Sequence, residues 1–274
     1  MTRYLNAIII TFIMALPASL KAQTYLDLVE AADKAIDTAD WTTAESNLLE
    51  AIYLNPENPS NILLLSNLGI VRYNLGKDSL ALDALDQAHR RAPKSVTVLL
   101  NRAEILTALN RDDEAYKDYS TVIGLDSTLV EPRYMHAIMA LRRGEMETSL
   151  ADCQTLMKIA PGSEEAHTAM GSYYSATEQW DKAIPHYTAL LEAKPTTDMY
   201  GARAVCYLML ERLNDASADI ASGLALDPDD GELYMYRAYL NKMRFQTDDA
   251  HADLLKAIEL GIDRRRAAEL MLAE

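Results

Sequence analysis

The sequence predicts an all-α solenoid of about seven helix-turn-helix repeats, closed by a short C-terminal helix. Three observations support this prediction. Hydrophobic residues make up 49% of the 274 residues, which is ample for a packed core. The chain has only 10 glycines and 9 prolines, which is few for the many turns of an all-β fold. Small residues also recur every 33 to 37 positions along nearly the whole chain.

Residues 1–22 are predicted to be a secretory signal peptide that is removed after Ala22. Arg3 gives a short basic start, residues 7–16 form an apolar run, and small residues precede Ala22. The apolar run is too short for a membrane span, which needs about 20 residues. An uncleaved anchor is the alternative. After signal removal, we expect a soluble, exported protein, periplasmic or secreted, without membrane insertion.

Two sets of small residues mark the repeats, and their members always lie 12 residues apart. The first set is Ala32, Gly69, Ala103, Ala137, Gly171, Ala204 and Ala238. The second set is Ala44, Ala81, Ala115, Ser149, Ala183, Ala216 and Ala250. Two helices approach to about 8–10 Å only where the side chains at the contact are short. Each pair of small residues therefore predicts a contact between two helices.

These marks divide residues 23–263 into seven predicted repeats. The repeats cover residues 25–58, 62–95, 96–129, 130–163, 164–196, 197–230 and 231–263. A proline ends most of them, because the residue before proline is pushed out of helical dihedral angles. One helix pair cannot bury its apolar stripe alone, so the pairs must stack. Residues 264–274 are predicted to be a capping helix with a polar outer side.

At these positions the chain resembles the tetratricopeptide repeat family. The best match lies in residues 164–196, at Met170, Gly171, Tyr174, Ala183, Tyr187 and Pro195. The resemblance covers residues 25–263 and implies a right-handed superhelical solenoid in which the first helix of each repeat lines a concave groove. In this family the groove usually takes an extended peptide or a helix of another protein.

The groove positions of the family, carried onto this sequence, predict a protein-binding surface. Its residues are Tyr134, Ile138, Leu141, Val205, Leu208, Met209, Met235, Tyr239 and Met243. Methionine adapts its packing, and tyrosine combines apolar area with a polar tip, so both suit a binding surface. The alternative is that neighbouring repeats or the closing helix cover this stripe.

The charge of the chain favours a protein partner over nucleic acid. The formal net charge is −15 at pH 7, and −17 without residues 1–22. Such a surface repels phosphate backbones, and it favours partners with basic residues beside their apolar anchors. The repeated Arg-Ala pairs that begin at Arg102, Arg203 and Arg237 are compatible with an anion site, but their common repeat position favours a structural role.

No motif in the sequence is typical of a catalytic, cofactor-binding or metal-binding site. The sequence therefore predicts a non-enzymatic scaffold or adaptor that binds another protein in the cell envelope or outside the cell, with no cofactor and no metal. A chaperone-like accessory subunit of an envelope assembly or secretion system is the alternative. An enzyme is a third class, which is disfavoured because repeats of this kind rarely carry the chemistry themselves.

Overall fold

The structure, a computed structural model, describes residues 18–272, and these residues form fifteen α-helices and no β-strand. The all-α prediction is confirmed. Among residues 18–272, no helix combines the length and the hydropathy needed to cross a membrane. The chain forms two compact units, Met1–Pro132 (unit 1) and Arg133–Glu274 (unit 2).

The described part of unit 1 contains six helices and the start of a seventh. They are α1 (Ala18–Asp37), α2 (Trp41–Leu54), α3 (Asn61–Asn74), α4 (Asp78–Arg91), α5 (Val96–Ala108), α6 (Asp112–Leu125) and α7 (Val130–Arg142), which continues into unit 2. Helix α1 starts inside the predicted signal peptide. The rest of that segment, residues 1–17, lies outside the described residues, and cleavage after Ala22 stays a prediction.

The described part of unit 2 contains the rest of α7 and eight further helices. They are α8 (Met146–Ile159), α9 (Glu164–Ala176), α10 (Trp180–Ala193), α11 (Thr197–Met209), α12 (Leu213–Leu226), α13 (Gly231–Met243), α14 (Thr247–Glu259) and α15 (Arg264–Leu272). The odd-numbered helices α1 to α13 are the first helices of the predicted repeats, and the even-numbered helices are the second. Helix α15 packs against α13 and α14.

Small residues let the two helices of a repeat approach closely. A Cβ atom added to Gly171 of α9 would lie 2.8 Å from Cε1 of Tyr187 on α10. In unit 1, a Cβ atom added to Gly69 would lie 2.5 Å from Cγ of Leu85. Within each unit, two successive first helices also contact each other, α3 with α5 and α11 with α13. The starts of α11 and α13 therefore lie side by side.

A hydrogen-bonded pair that includes an aspartate joins the two helices of four repeats, always between residues 16 positions apart. The pairs are Arg102–Asp118, His136–Asp152, Arg203–Asp219 and Arg237–Asp253. The arginine pairs are bidentate, with Nη2–Oδ1 distances of 2.6 to 2.7 Å. The structural role predicted for the repeated Arg-Ala pairs is confirmed, since these arginines bind an aspartate of their own repeat.

The turn from each first helix to its second helix contains one residue with positive φ. These residues are Ala39, Gly76, Asn110, Gly144, Glu178, Glu211 and Phe245. Phe245 stands out because φ is 59° and the side chain is 93% exposed. Left-handed backbone costs an ordinary L-residue about 1–2 kcal/mol. This phenylalanine therefore carries backbone strain without burying its ring.

We expect Phe245→Gly to stabilise unit 2 by about 0.5–1 kcal/mol, because glycine adopts positive φ without strain and little packing is lost. Urea unfolding followed by circular dichroism would measure the change. Gly76→Ala is the control in the opposite direction, from glycine to an ordinary residue. Gly76 has a φ of 70°, and no neighbour lies within 4 Å of an added Cβ atom. It should cost a similar free energy. A loss of stability in Phe245→Gly would contradict the strain assignment.

Candidate functional site

A cavity of about 370 Å³ lies in unit 2 where α9 begins, α10 ends and α11 begins. We call it cavity A. Its apolar lining includes Leu190 and Met199. Its charged or titratable lining residues are Glu164, His167, Glu192, Lys194 and Asp198. Three carboxylates against one ammonium group make the cavity acidic.

A second cavity, of about 230 Å³, lies between the starts of α11 and α13, and we call it cavity B. Its described lining holds the carboxylates of Asp198, Asp230 and Glu232 and no basic side chain. Gly201 leaves room there, because a Cβ atom at this position would lie 3.2 Å from the ring of Tyr236. Since Asp198 lines both cavities, the two adjoin.

The five carboxylates around these cavities form one surface, which we call the acidic face. It consists of Glu164, Glu192, Asp198, Asp230 and Glu232. The carboxylate of Asp230 also caps α13, since it accepts a hydrogen bond from the backbone N–H of Leu233 at 3.0 Å. Glu164, Glu192 and Asp198 are exposed. The acidic face therefore offers carboxylates that a cation can reach.

The chain itself places an arginine on the acidic face. Arg266 of α15 forms a two-pronged ion pair with Glu232, in which Nη2 lies 2.7 Å from Oε2. This hydrogen bond raises the pKa of Arg266. Burial, with the charge of Glu232 as a further cause, raises the pKa of Tyr236 to about 12, so this phenol stays protonated. Cavity B is thus chemically suited to a guanidinium group.

A family model described as tetratricopeptide repeat matches residues 66–128 and 168–231. These two segments are tetratricopeptide repeats. The family predicted from the sequence is confirmed. The matched model describes a repeat and not a catalytic domain.

Similar proteins share the tetratricopeptide repeat fold. A tetratricopeptide repeat protein from Parabacteroides merdae is 25% identical, with a TM-score of 0.73 over 91% of this chain and 98% of that one. YrrB, described as having an unusual peptide-binding site, is 16% identical, with a TM-score of 0.53 over 70% of this chain and 100% of its own. A DnaJ homolog subfamily C member 7 homolog from Dictyostelium discoideum is 21% identical over 68% of this chain. This chain covers only 38% of that relative.

The groove residues predicted for this tetratricopeptide repeat protein lie at different depths. Leu208 and Met235 are only 1% and 2% exposed, whereas Met209 is 42% exposed. The others are half-buried, namely Tyr134, Ile138, Leu141, Val205, Tyr239 and Met243. Their role in binding stays a prediction.

The expectation that Leu208 and Met235 belong to an open apolar stripe is wrong. Leu208 lies in a core cluster with Leu240, and the side chains of Tyr239 and Met243 pack against that cluster. Adjacent helices therefore cover this part of the stripe, as the alternative stated.

The acidic face is not evident from the sequence, because the usual interpretation of acids at helix starts is that they cap free N–H groups and interact with the helix dipole. That interpretation holds for Asp230, which caps α13. Asp198 and Glu232, however, are the second residues of α11 and α13, 34 positions apart. Because these two acids occupy the same position in successive repeats, the sequence could have indicated this site.

The thiols and histidines of the repeat protein do not form a recognisable catalytic site. Cys153 and Cys206 are buried, and burial raises the pKa of the Cys153 thiol to about 11. Among residues 18–272, no group of three or more His, Cys, Asp or Glu side chains is arranged to hold a metal ion. His167 and His186 do meet within one repeat, with 3.1 Å between their Nδ1 atoms.

Proposed function

We propose that this protein is a non-enzymatic scaffold or adaptor that binds a basic peptide or helix of another protein along the acidic face. The ion pair between Arg266 and Glu232 is the main support for the proposal, because in it an arginine of the chain itself binds a carboxylate of the acidic face. Asp198 and Glu164 present the same carboxylate chemistry along the same face. Arginine residues of a partner would bind there as Arg266 binds Glu232.

The lining of the cavities favours long basic side chains with an aliphatic stem. Leu190 and Met199 line cavity A, and Leu233 and Tyr236 line cavity B. Arginine and lysine lay their methylene groups along such apolar surface and keep their charge at the carboxylates. The acidic face would therefore select basic segments, and added salt would weaken binding.

A holder of unfolded clients is less well supported, since it would need a broad apolar surface. Two of the predicted apolar groove residues, Leu208 and Met235, are instead part of the core. YrrB, a structural relative, is described as having a peptide-binding site, which agrees with peptide recognition by this fold. We further propose that the protein acts in the cell envelope or outside the cell, on the basis of the signal peptide predicted in residues 1–22.

We expect Asp198→Arg to weaken the binding of arginine-containing peptides by about tenfold or more, because it places like charge between both cavities. Fluorescence polarisation would measure this with labelled peptides that carry none, one, two or three arginines among alanines and leucines. Affinity for the wild type should rise with the number of arginines.

Asp181→Arg is the matched control for this experiment. Asp181 is an exposed acid in the first turn of α10 and does not line either cavity. The two variants change the net charge equally, so the control should keep most of its affinity. Equal losses in both variants would contradict a site on the acidic face and would indicate general charge attraction.

A further inference from the structure

Two histidines meet at the edge of cavity A. His167 on α9 and His186 on α10 bring their Nδ1 atoms to 3.1 Å, with ring centroids 5.2 Å apart and ring planes tilted by 52°. The ring of His186 also stacks on Tyr174, and the ammonium group of Lys182 lies 5.6 Å from the centroid of the Tyr174 ring. The histidine pair is thus held between two packed helices.

The histidine pair stands where the neighbouring repeats carry their hydrogen-bonded aspartate pair. His186 occupies the position of Asp152 in the repeat before it and of Asp219 in the repeat after it. The residue 16 positions before His186 is Met170, which replaces the arginine or histidine of those repeats. The repeat that holds His167 and His186 therefore has an imidazole in place of the aspartate carboxylate.

We propose that His167 and His186 form a two-histidine site for Zn²⁺, in which water completes the coordination. Zinc binds imidazole nitrogen at about 2.0–2.1 Å, so an ion bound to both Nδ1 atoms at their present spacing would make an N–Zn–N angle of about 95–100°. That angle lies between octahedral and tetrahedral values. The Nδ1–Nδ1 spacing fits the ion, but each imidazole would have to turn so that its Nδ1 lone pair points at the ion and not at the other nitrogen.

The surroundings of the pair suit a hydrated cation. His167 lines cavity A, which has room for water ligands. Glu164 lies one helical turn before His167 and lines the same cavity, and the acidic face raises the local concentration of cations.

Isothermal titration of the full chain, without a polyhistidine tag, tests this proposal. About 5 mM Mg²⁺ in the buffer would occupy non-specific carboxylate sites, since Mg²⁺ prefers oxygen ligands. We expect one Zn²⁺ per chain with a micromolar dissociation constant, and tighter binding of Cu²⁺. His167→Gln and His186→Gln should each weaken Zn²⁺ binding about tenfold or more. His251→Gln, at an exposed histidine on α14, should leave it unchanged.

A second readout avoids dependence on the folding of the variants. In nuclear magnetic resonance spectra of the wild type, the ring resonances of His167 and His186 should shift on addition of Zn²⁺, and those of His251 should not. Absence of saturable Zn²⁺ binding up to about 1 mM would overturn the proposal and leave the pair as a hydrogen bond. Zn²⁺ binding that is unchanged in folded His167→Gln protein would overturn it as well.

Discussion

Replacing Asp219 by alanine is expected to destabilise unit 2 by about 3–5 kcal/mol, because it leaves a largely buried guanidinium group without its carboxylate. Arg203 donates to both oxygens of Asp219, from Nε at 2.8 Å and from Nη2 at 2.7 Å. The two side chains are only 16% and 7% exposed. Thr188 accepts a further hydrogen bond from Arg203, but it carries no charge. Urea unfolding followed by circular dichroism would measure the loss.

Asp215→Ala provides a control on the same helix. Asp215 pairs with Arg212 at 2.7 Å, and both side chains are about half exposed. Exposed pairs contribute about 0–1 kcal/mol, so this variant should unfold nearly as the wild type does. Similar losses for Asp219→Ala and Asp215→Ala would show that burial of the Arg203–Asp219 pair does not matter. The role assigned to the repeated ionic pairs would then be wrong.

Replacing Gly171 by leucine is expected to cost unit 2 about 3 kcal/mol or more, because α9 and α10 would be forced apart. Even the Cβ atom would lie 2.8 Å from Cε1 and 3.0 Å from Cζ of Tyr187. Tyr187 has little room to move, since it is 5% exposed and its hydroxyl group hydrogen-bonds with Ser175 at 3.0 Å. Thermal unfolding and urea unfolding would both detect the change.

Gly124→Leu is the matched control, since Gly124 is also a helical glycine but has no neighbour within 4 Å of an added Cβ atom. Leucine is the better helix former by about 0.5–1 kcal/mol, so this variant should be as stable as the wild type or more stable. If Gly171→Leu proved equally stable, the close approach of α9 and α10 at this residue would be contradicted.

The fold could be predicted from the sequence because its signal is steric and periodic. Gly171 and Ala183 lie 12 residues apart, and both positions recur in every repeat, so local spacing alone reveals the helix pairs. The turns were predictable in place but not in detail. Nothing in the spacing indicates that Phe245 adopts positive φ with its side chain exposed.

The site was only partly predictable, because repeat position gives the side of a helix and not the depth of a side chain. Leu208 and Met209 were both assigned to the groove, but Leu208 lies in a core cluster and is 1% exposed, whereas Met209 is 42% exposed. His167 and His186 were missed because they lie 19 residues apart on two helices. Motif spacing within one helix cannot detect such a pair.

Selection of a random-peptide library on the wild-type protein tests the central claim most directly, which is that the acidic face binds basic segments. The selected peptides should be rich in arginine or lysine beside apolar residues. They should bind Asp181→Arg as they bind the wild type, and they should lose affinity for Asp198→Arg. Enrichment of acidic or uncharged peptides, or equal binding to Asp198→Arg, would contradict the assignment of the acidic face.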